Sequence, residues 1–336
     1  MNDCVNTAPE SRRPRARCMT RVPFRFPVGP GAASNARGFA LLAVLLVLAV
    51  LGVVGAEFAF SMRLEASATR AHKERIIGAH LTEAAVSQAI REIIPDYRTV
   101  GAPDGILTFY GQDGQPRPRL QRDKVKLGAG TYSYTLTDEQ SRLNVNTAAP
   151  AVLDKLLQCR GVEKSDRDVI VDSVQDWKDA DENHRLNGAE SDDTYLKLEV
   201  PYRSRNGNLG SVRELLQIKG VTKEIFYGTA GSPGLVDDVS VRAPGTNINT
   251  VTPRVLCALG FSTAEMETLV NARNLQPYFV APGQFGGRRL AATSQMFRII
   301  AEGAIDGRVG ARVTAVVWRR RTTQGTSILT LEWFNR

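Results

Sequence analysis

Residues 39–56, FALLAVLLVLAVLGVVGA, are apolar or Gly without exception. At about 1.5 Å per helical residue, such a run nearly crosses a hydrocarbon layer about 30 Å thick. The pattern then changes period without a break. Residues 57–94 contain no proline and no turn cluster. Ile77, Leu81, Ala85, Ala89 and Ile93 recur every four residues, with Val86, Ile90 and Ile94 beside them. That spacing predicts one apolar stripe on a helix. Residues 39–94 are therefore expected to form a single helix, embedded in a membrane at 39–56 and amphipathic beyond it.

After Pro95 the signals become mixed. Residues 95–130 are rich in Gly, Pro and polar groups and predict loops with a short strand near 106–110. The stretch 131–146, TYSYTLTDEQSRLNVN, reads as a strand, a turn and a second extended piece. Residues 147–280 look largely helical, and 281–336 return to strand-like runs punctuated by Gly. Strands, then helices, then strands predict an α+β chain: 95–146 and 281–336 build one antiparallel-sheet head, and 147–280 is an inserted all-α domain.

Internal repeats support the insert. Residues 144–153, NVNTAAPAVL, match 247–256, NINTVTPRVL, as N-x-N-T-x-x-P-x-V-L. Thr and Pro there predict a helix start, with Thr as N-cap. LLQCRGVEK at 156–164 matches LLQIKGVTK at 215–223, and LCALGFSTAE around Gly260 is a weaker third copy. Each predicts a helix closed by Gly with another helix close behind. Such helix-hairpin-helix-like repeats bind phosphate in some nucleic-acid readers. Here Glu163 would repel phosphate, and pairs packing as a small bundle are the expectation.

The region with the most specific chemistry is the acidic loop within 172–195, with Asp172, Asp176, Asp179, Asp181, Glu182, Glu190, Asp192 and Asp193. With Asp179 at position 1, Asp181, Asn183, Leu186, Asn187 and Glu190 fall at positions 3, 5, 8, 9 and 12 of a calcium-loop pattern. His184 stands where that pattern needs Gly, so the expectation is a loop of hard-oxygen ligands rather than an EF-hand. Asp179, Asp181 and Glu190 are the leading Ca²⁺ ligands, with Asp176, Asp192 and Asp193 as further candidates. Trp177 is expected to pack. No G-x-S-x-G, H-E-x-x-H or P-loop occurs, and no enzyme is expected.

Composition changes the picture at the front of the chain. The 336 residues carry a formal charge of +8. Residues 1–38 hold seven Arg against Asp3 and Glu10, which is +5 of that total, so the rest is nearly balanced. The basicity marks targeting rather than a nucleic-acid face. A cleaved secretory signal would use Val54-Gly55-Ala56, but the run is longer than the usual core of about 7–15 residues. A plain one-span anchor would keep the Arg-rich side cytoplasmic. Cys4 and Cys18 lie in the tail, Cys159 and Cys257 in the body. A Cys159–Cys257 disulfide and two buried thiols both remain open.

The basic leader ending in Gly38, then Phe39, then a long apolar helix resembles the type IV pilin-like precursors. The resemblance implies that a prepilin peptidase cleaves after Gly38 and methylates Phe39, with residues 1–38 as leader; Met19 is the expected true start. Most such proteins carry Glu at the fifth mature position, where this chain has Ala43. That departure, with Asp176-Trp177, Asp179, Asp181, Asn187-Gly188-Ala189-Glu190 and Tyr195, resembles the K-type minor pseudopilins of type II secretion systems.

The likeness implies a pseudopilin head with a calcium-binding helical insert. It also implies a place at the pseudopilus tip, starting assembly with minor pseudopilins of the I and J classes before the major pseudopilin. The expected setting is a Gram-negative inner membrane, with the body periplasmic, inner-membrane lipid around the anchor, a lesser contact with exported substrate and no nucleic acid. A membrane-anchored DNA-binding protein and a minor pilin of a type IV pilus are the alternatives.

Overall fold

The computed structural model describes residues 36–285, 288 and 290–335. Cys4, Cys18, Met19 and most of the expected leader lie outside them. The described chain divides after Ser67 into two units. Helix α1, Ala36–Ile93, runs through that point and spans 58 residues. It starts three residues before the expected Phe39 and ends one residue short of the expected Ile94, because Pro95 disfavours helical backbone there.

The first unit is the leading part of α1. Its apolar side chains are exposed along their length, among them Phe39, Leu45, Val50 and Phe58.

In the second unit, short pieces precede the head's long strands: β1 (Thr99–Gly101), β2 (Thr108–Tyr110) and β3 (Val125–Leu127), then β4 (Gly130–Asp138). The expected strand at 106–110 is thus only its last three residues, since Ile106 follows a tight turn at Pro103–Gly105. β1 and β3 escape a period-two signal because three residues hold barely one alternation. Next come β5 (Leu143–Asn144), α2 (Pro150–Cys159), α3 (Lys164–Lys178) and α4 (Lys223–Tyr227). The small hairpin β6 (Gly228–Thr229) and β7 (Ser232–Pro233) leads to α5 (Leu235–Asp238) and β8 (Val239–Ser240). They are followed by β9 (Thr246–Asn247), α6 (Pro253–Ala258), α7 (Thr263–Leu275) and β10 (Leu290–Ala291). The chain closes with β11 (Met296–Ile305), β12 (Arg308–Thr322) and β13 (Gly325–Asn335).

The head sheet has the order β13-β12-β11-β4-β3, antiparallel throughout. The predicted stripe of α1 covers it: Leu81, Ala85, Val86, Ala89 and Ile93 are buried against Tyr134, Phe297, Ile299, Ala315 and Val317. Each large buried side chain contributes about 1.5–3 kcal/mol. Ile77 and Ile90 are partly buried, whereas Ile94 is exposed past the helix end.

A close backbone approach fixes the crossing. A Cβ on Gly303 would meet the Gly78 carbonyl oxygen at 2.4 Å, and one on Gly78 would meet the Gly310 backbone at 3.0 Å. Gly310 is the bulge residue, since Gly303 pairs with Ala311 and Ala304 with Val309. A helix-interior Gly, normally costly by about 0.5–1 kcal/mol, is thereby explained. Gly303→Ala is expected to lower stability by about 1–3 kcal/mol through overpacking, read by denaturant titration.

The insert forms a separate core around Leu153, Leu156, Ile170, Trp177, Phe226 and Leu256. Three Gly residues close turns between successive elements in left-handed backbone: Gly161 between α2 and α3, Gly220 before α4, and Gly260 between α6 and α7. In two of the three, α-helices flank the turn as predicted. Before Gly220 the helix is instead a 3-10 turn, Val212–Gln217, because a Ser211/Glu214 capping box starts it and Ile218 is already extended. The expected Thr caps are also displaced. The residue just before each Pro is the N-cap: Ala149 without a side-chain bond, and Thr252, which accepts from Val255 N. Apart from one 3-10 turn, Tyr195–Lys197, residues 179–211 are irregular rather than helical, because Asp, Asn and Ser side chains there bond to backbone and to each other.

The N-x-N motif of the repeats has a clear role. Asn144 and Asn247 accept from the amides two residues on, while Asn146 and Asn249 bond to neighbouring backbone at Leu209, Val241, Tyr278 and Ala292. At the end of β4, the buried Asp138 carboxylate accepts from Gln140 N, Asn247 Nδ2, Thr250 Oγ1 and Ser294 Oγ. Burial pushes its carboxyl above the usual range despite those donors. Asp138→Ala strands four donors and is expected to cost about 2–3 kcal/mol in a denaturant titration.

Candidate functional site

The two expected sites are the front of α1 and the acidic segment after α3. At the front, Gly38 and Phe39 lie inside α1 and are exposed, Phe39 strongly so. Ala43 presents only a methyl group, and the first acid of α1 is Glu57. Among the described residues, α1 is the one helix long and apolar enough to cross a membrane by length and composition.

The acidic segment is built on the last turns of α3. The α3 pattern buries Ile170, Val174 and Trp177 toward the insert core, and the same face carries Asp176 inward. Trp177 packs edge-on against Tyr195 at 5.3 Å, as expected of a packing residue. Asp176, wholly buried, accepts from Ala189 N at 2.9 Å and from Arg185 N at 3.1 Å. Arg185 Nη1 then bridges Asp176 Oδ1 and Asp179 Oδ2 at 2.5 and 2.6 Å. One guanidinium thus gathers two of the predicted ligands.

Glu190, 1% exposed, accepts from Ser204 Oγ at 2.9 Å. Ser204 continues to Asn206, and Asn206 Nδ2 donates to Glu182 at 3.2 Å. Burial pushes the Glu190 carboxyl up to about 7, with the charges of Asp176, Glu182 and Asp179 adding to the rise. A folded value above the ordinary 4.5 means that the contribution of this group to folding is full below about 4.5. It is lost as pH rises through about 7.

The other candidates stand apart. Asp181 is exposed and binds the Asn183 amide, which holds its carboxyl low. Asp193 accepts from Glu190 N at 3.0 Å and faces His184 at 3.7 Å. Asp192 is exposed opposite Arg203 at 3.8 Å, and Asp172 accepts from Asn187. Leu186, placed at the apolar position of the calcium-loop register, is 93% exposed. Of the expected ligands, Asp176 and Asp179 are joined through Arg185, Glu190 is buried beside Ser204, and Asp181 stands outside both contacts.

Among the described residues, no three His, Cys, Asp or Glu side chains converge as a preformed metal cluster. The donor chemistry nonetheless suits a hard cation. Asp179 Oδ1 and Glu190 Oε1 are buried with no hydrogen-bond partner, two uncompensated carboxylate oxygens. Arg185, Ser204 and Asn206 were not legible as site residues. Their only sequence signal is Arg185 lying amid the eight carboxylates. Gly188 is required here, because a Cβ on it would lie 1.8 Å from Asp176 Oδ2. Gly188→Ala is expected to expel that carboxylate and lower stability by about 1–3 kcal/mol, read by thermal denaturation.

The remaining open question in the insert is its thiols: Cys159, ending α2, and Cys257, in α6, are disulfide-bonded across 98 residues of sequence.

Residues 134–228, which span β4 to α4, match the family model described as type II secretion system (T2SS), protein K. A type II secretion system protein K of Pectobacterium carotovorum subsp. carotovorum is 30% identical over 241 residues, covering 65% of this chain and 68% of that one. The chain belongs to the type II secretion system protein K family. A relative from Escherichia coli (strain K12) named for the same protein is 29% identical over 206 residues, and the match spans 60% of its length. The fold is similar to the crystal structure of the GspK–GspI–GspJ complex from enterotoxigenic Escherichia coli, with a TM-score of 0.58 and 18% identity. That likeness covers 82% of this chain and 99% of the other.

Proposed function

We propose that this chain is a minor pseudopilin that caps the tip of the type II secretion pseudopilus, starts its assembly and so takes part in protein export across the outer membrane. The observation that carries this reading is α1. An exposed apolar span continues unbroken into a helix stripe buried in the head, and position five after Gly38 is Ala43. In a pilus, a fifth-position Glu pairs with the N-terminal amine of the subunit above it. An unpaired charge in lipid costs several kcal/mol. A subunit without that Glu has no such contact to make upward, which suits the first place in the filament. The insert adds bulk beside the head and obstructs stacking from above.

The partners follow from that place. The similar solved protein is titled as a complex with GspI and GspJ, which supports pseudopilins of the I and J classes as the assembly partners here. The major pseudopilin is then added below. Cleavage by prepilin peptidase after Gly38 leaves an N-methylated Phe39 in the inner membrane. The Arg-rich front keeps the N-terminus cytoplasmic, and the body is periplasmic. The Cys159–Cys257 disulfide suits an oxidising compartment. Mass spectrometry of the mature N-terminus is the test: N-methyl-Phe39 is expected, while a terminus at Glu57 contradicts a retained anchor.

The acidic segment is the proposed Ca²⁺ site. Asp176, Asp179 and Glu190 would hold the ion; Asp181, Asp192 and Asp193 are peripheral. Bound calcium would supply the positive charge that Arg185 alone now gives Asp176 and Asp179, and would engage the unpaired oxygens of Asp179 and Glu190. Its role is structural, fixing the irregular stretch 179–211 against α3.

A further inference from the structure

Beside the C-terminal end of α1 lies a recess of about 250 Å³ that neither the anchor nor the acidic segment uses. Its apolar lining is Pro95, Phe109, Pro118 and Leu120, and its charged lining is Arg91, Glu92, Arg117 and Arg119. Glu92 does not neutralise the arginines. Its carboxylate is already taken by Arg122, at 2.6 and 3.0 Å, and by the Tyr134 hydroxyl at 2.9 Å. Arg119 donates through Nε and Nη2 to Thr108 Oγ1 at 3.1 and 2.6 Å, so a neutral hydroxyl orients its guanidinium without cancelling its charge. Arg91 reaches only the Gln88 amide oxygen, at 3.5 Å. Among the described residues, Arg91, Arg117 and Arg119 have no carboxylate partner, unlike Arg122 and Arg321 nearby.

Three guanidinium groups around one recess repel each other until an anion arrives, and a carboxylate accepts from paired guanidinium groups with matched geometry. The volume accommodates one or two side chains and falls just under the range of about 300–1,000 Å³ typical of small-molecule pockets. The apolar lining asks for a hydrocarbon stem beneath the charge, which inorganic phosphate lacks. We propose that this recess recognises a glutamate or aspartate side chain presented by another protein, with its methylene stem on Phe109 and Leu120 and its carboxylate between Arg117 and Arg119. The site is independent of membrane anchoring and of metal.

The test uses the full chain in detergent micelles and the probe acetyl-Leu-Glu-Leu-Glu-amide, titrated by isothermal calorimetry. The glutamate peptide is expected to bind at least about tenfold more tightly than acetyl-Leu-Gln-Leu-Gln-amide. Its affinity should fall by about tenfold or more in R117Q/R119Q, which also removes the Arg119–Thr108 hydrogen bonds. A second variant, R91Q/R117Q, touches no hydrogen bond of the fold except that to Gln88 and should show the same loss. The proposal is overturned by no peptide binding at millimolar concentration, equal binding of the two peptides, or unchanged affinity in both variants. It is equally overturned if inorganic phosphate binds the recess as tightly as the peptide, which would make it a phosphate site.

Discussion

Replacing Cys159 and Cys257 together by Ser is expected to destabilise the insert by about 4–5 kcal/mol, the largest effect of any change considered. The bond closes 98 residues of sequence, and the chain-entropy cost of opening a loop near that length is about 4.7 kcal/mol. The loop also encloses α3, the acidic segment and α4, so its loss frees the site as well as the core. The bond joins the end of α2 to α6, two helices that pack in one core. Calorimetry of the oxidised protein and the double variant should separate the melting temperatures by about 10 °C or more. Mild reduction of the native protein should reproduce the shift. Equal melting temperatures would mean that the helix packing alone holds the insert.

The second large effect is expected of the proposed calcium. A ligand at about a thousand times its Kd stabilises the folded state by about 4 kcal/mol. Removing it with chelator leaves the Glu190 and Asp179 oxygens unpaired in a buried setting. Chelation is therefore expected to lower the melting temperature of the insert by about 8 °C or more. Glu190→Gln should abolish the calcium-dependent part of that difference and leave the chelated baseline as stable as the parent or more so, because it removes a buried charge raised to about 7. A melting temperature indifferent to chelator would remove the metal from the account.

These expectations rest on features of unequal legibility. The packing face and C-terminal end of α1 could be read, because a four-residue apolar period over Ile77 to Ile93 admits one packing face and Pro95 ends it. The strands β11 to β13 were visible for the same reason, being long enough to show alternation between Gly-marked turns. What stayed hidden depends on distant closure. Arg319 is buried under the end of α1 and donates to the carbonyls of Ile93, Ile94 and Pro95, more than 220 residues away in sequence. Nothing local in an Arg-Arg-Arg strand end distinguishes it from its exposed neighbours. The acidic segment was found from composition and spacing, but the linear register did not show which of its carboxylates are buried. Asp176 faces inward because α3 continues to Lys178, whereas the linear register began at Asp179. The residues that bond to Glu190 and Glu182, Ser204 and Asn206, come from the far end of an irregular segment with no period to reveal them.

The polar links between the two cores follow the same rule. The N-x-N-T repeats were visible as a pattern, but their task was not. Asn144 and Asn247 each turn the backbone, and Asn146 and Asn249 each tie passing irregular backbone, so the repetition is one bracing device used twice. That role explains why both copies sit beside two-residue parallel pairings, β5 with β8 and β9 with β10.

The claim that most needs testing is position: this subunit occupies one end of a filament. Electron microscopy of pseudopili carrying a gold label on this chain addresses it directly. A single label at one end of each filament is predicted. Labels spaced along the shaft would contradict the account.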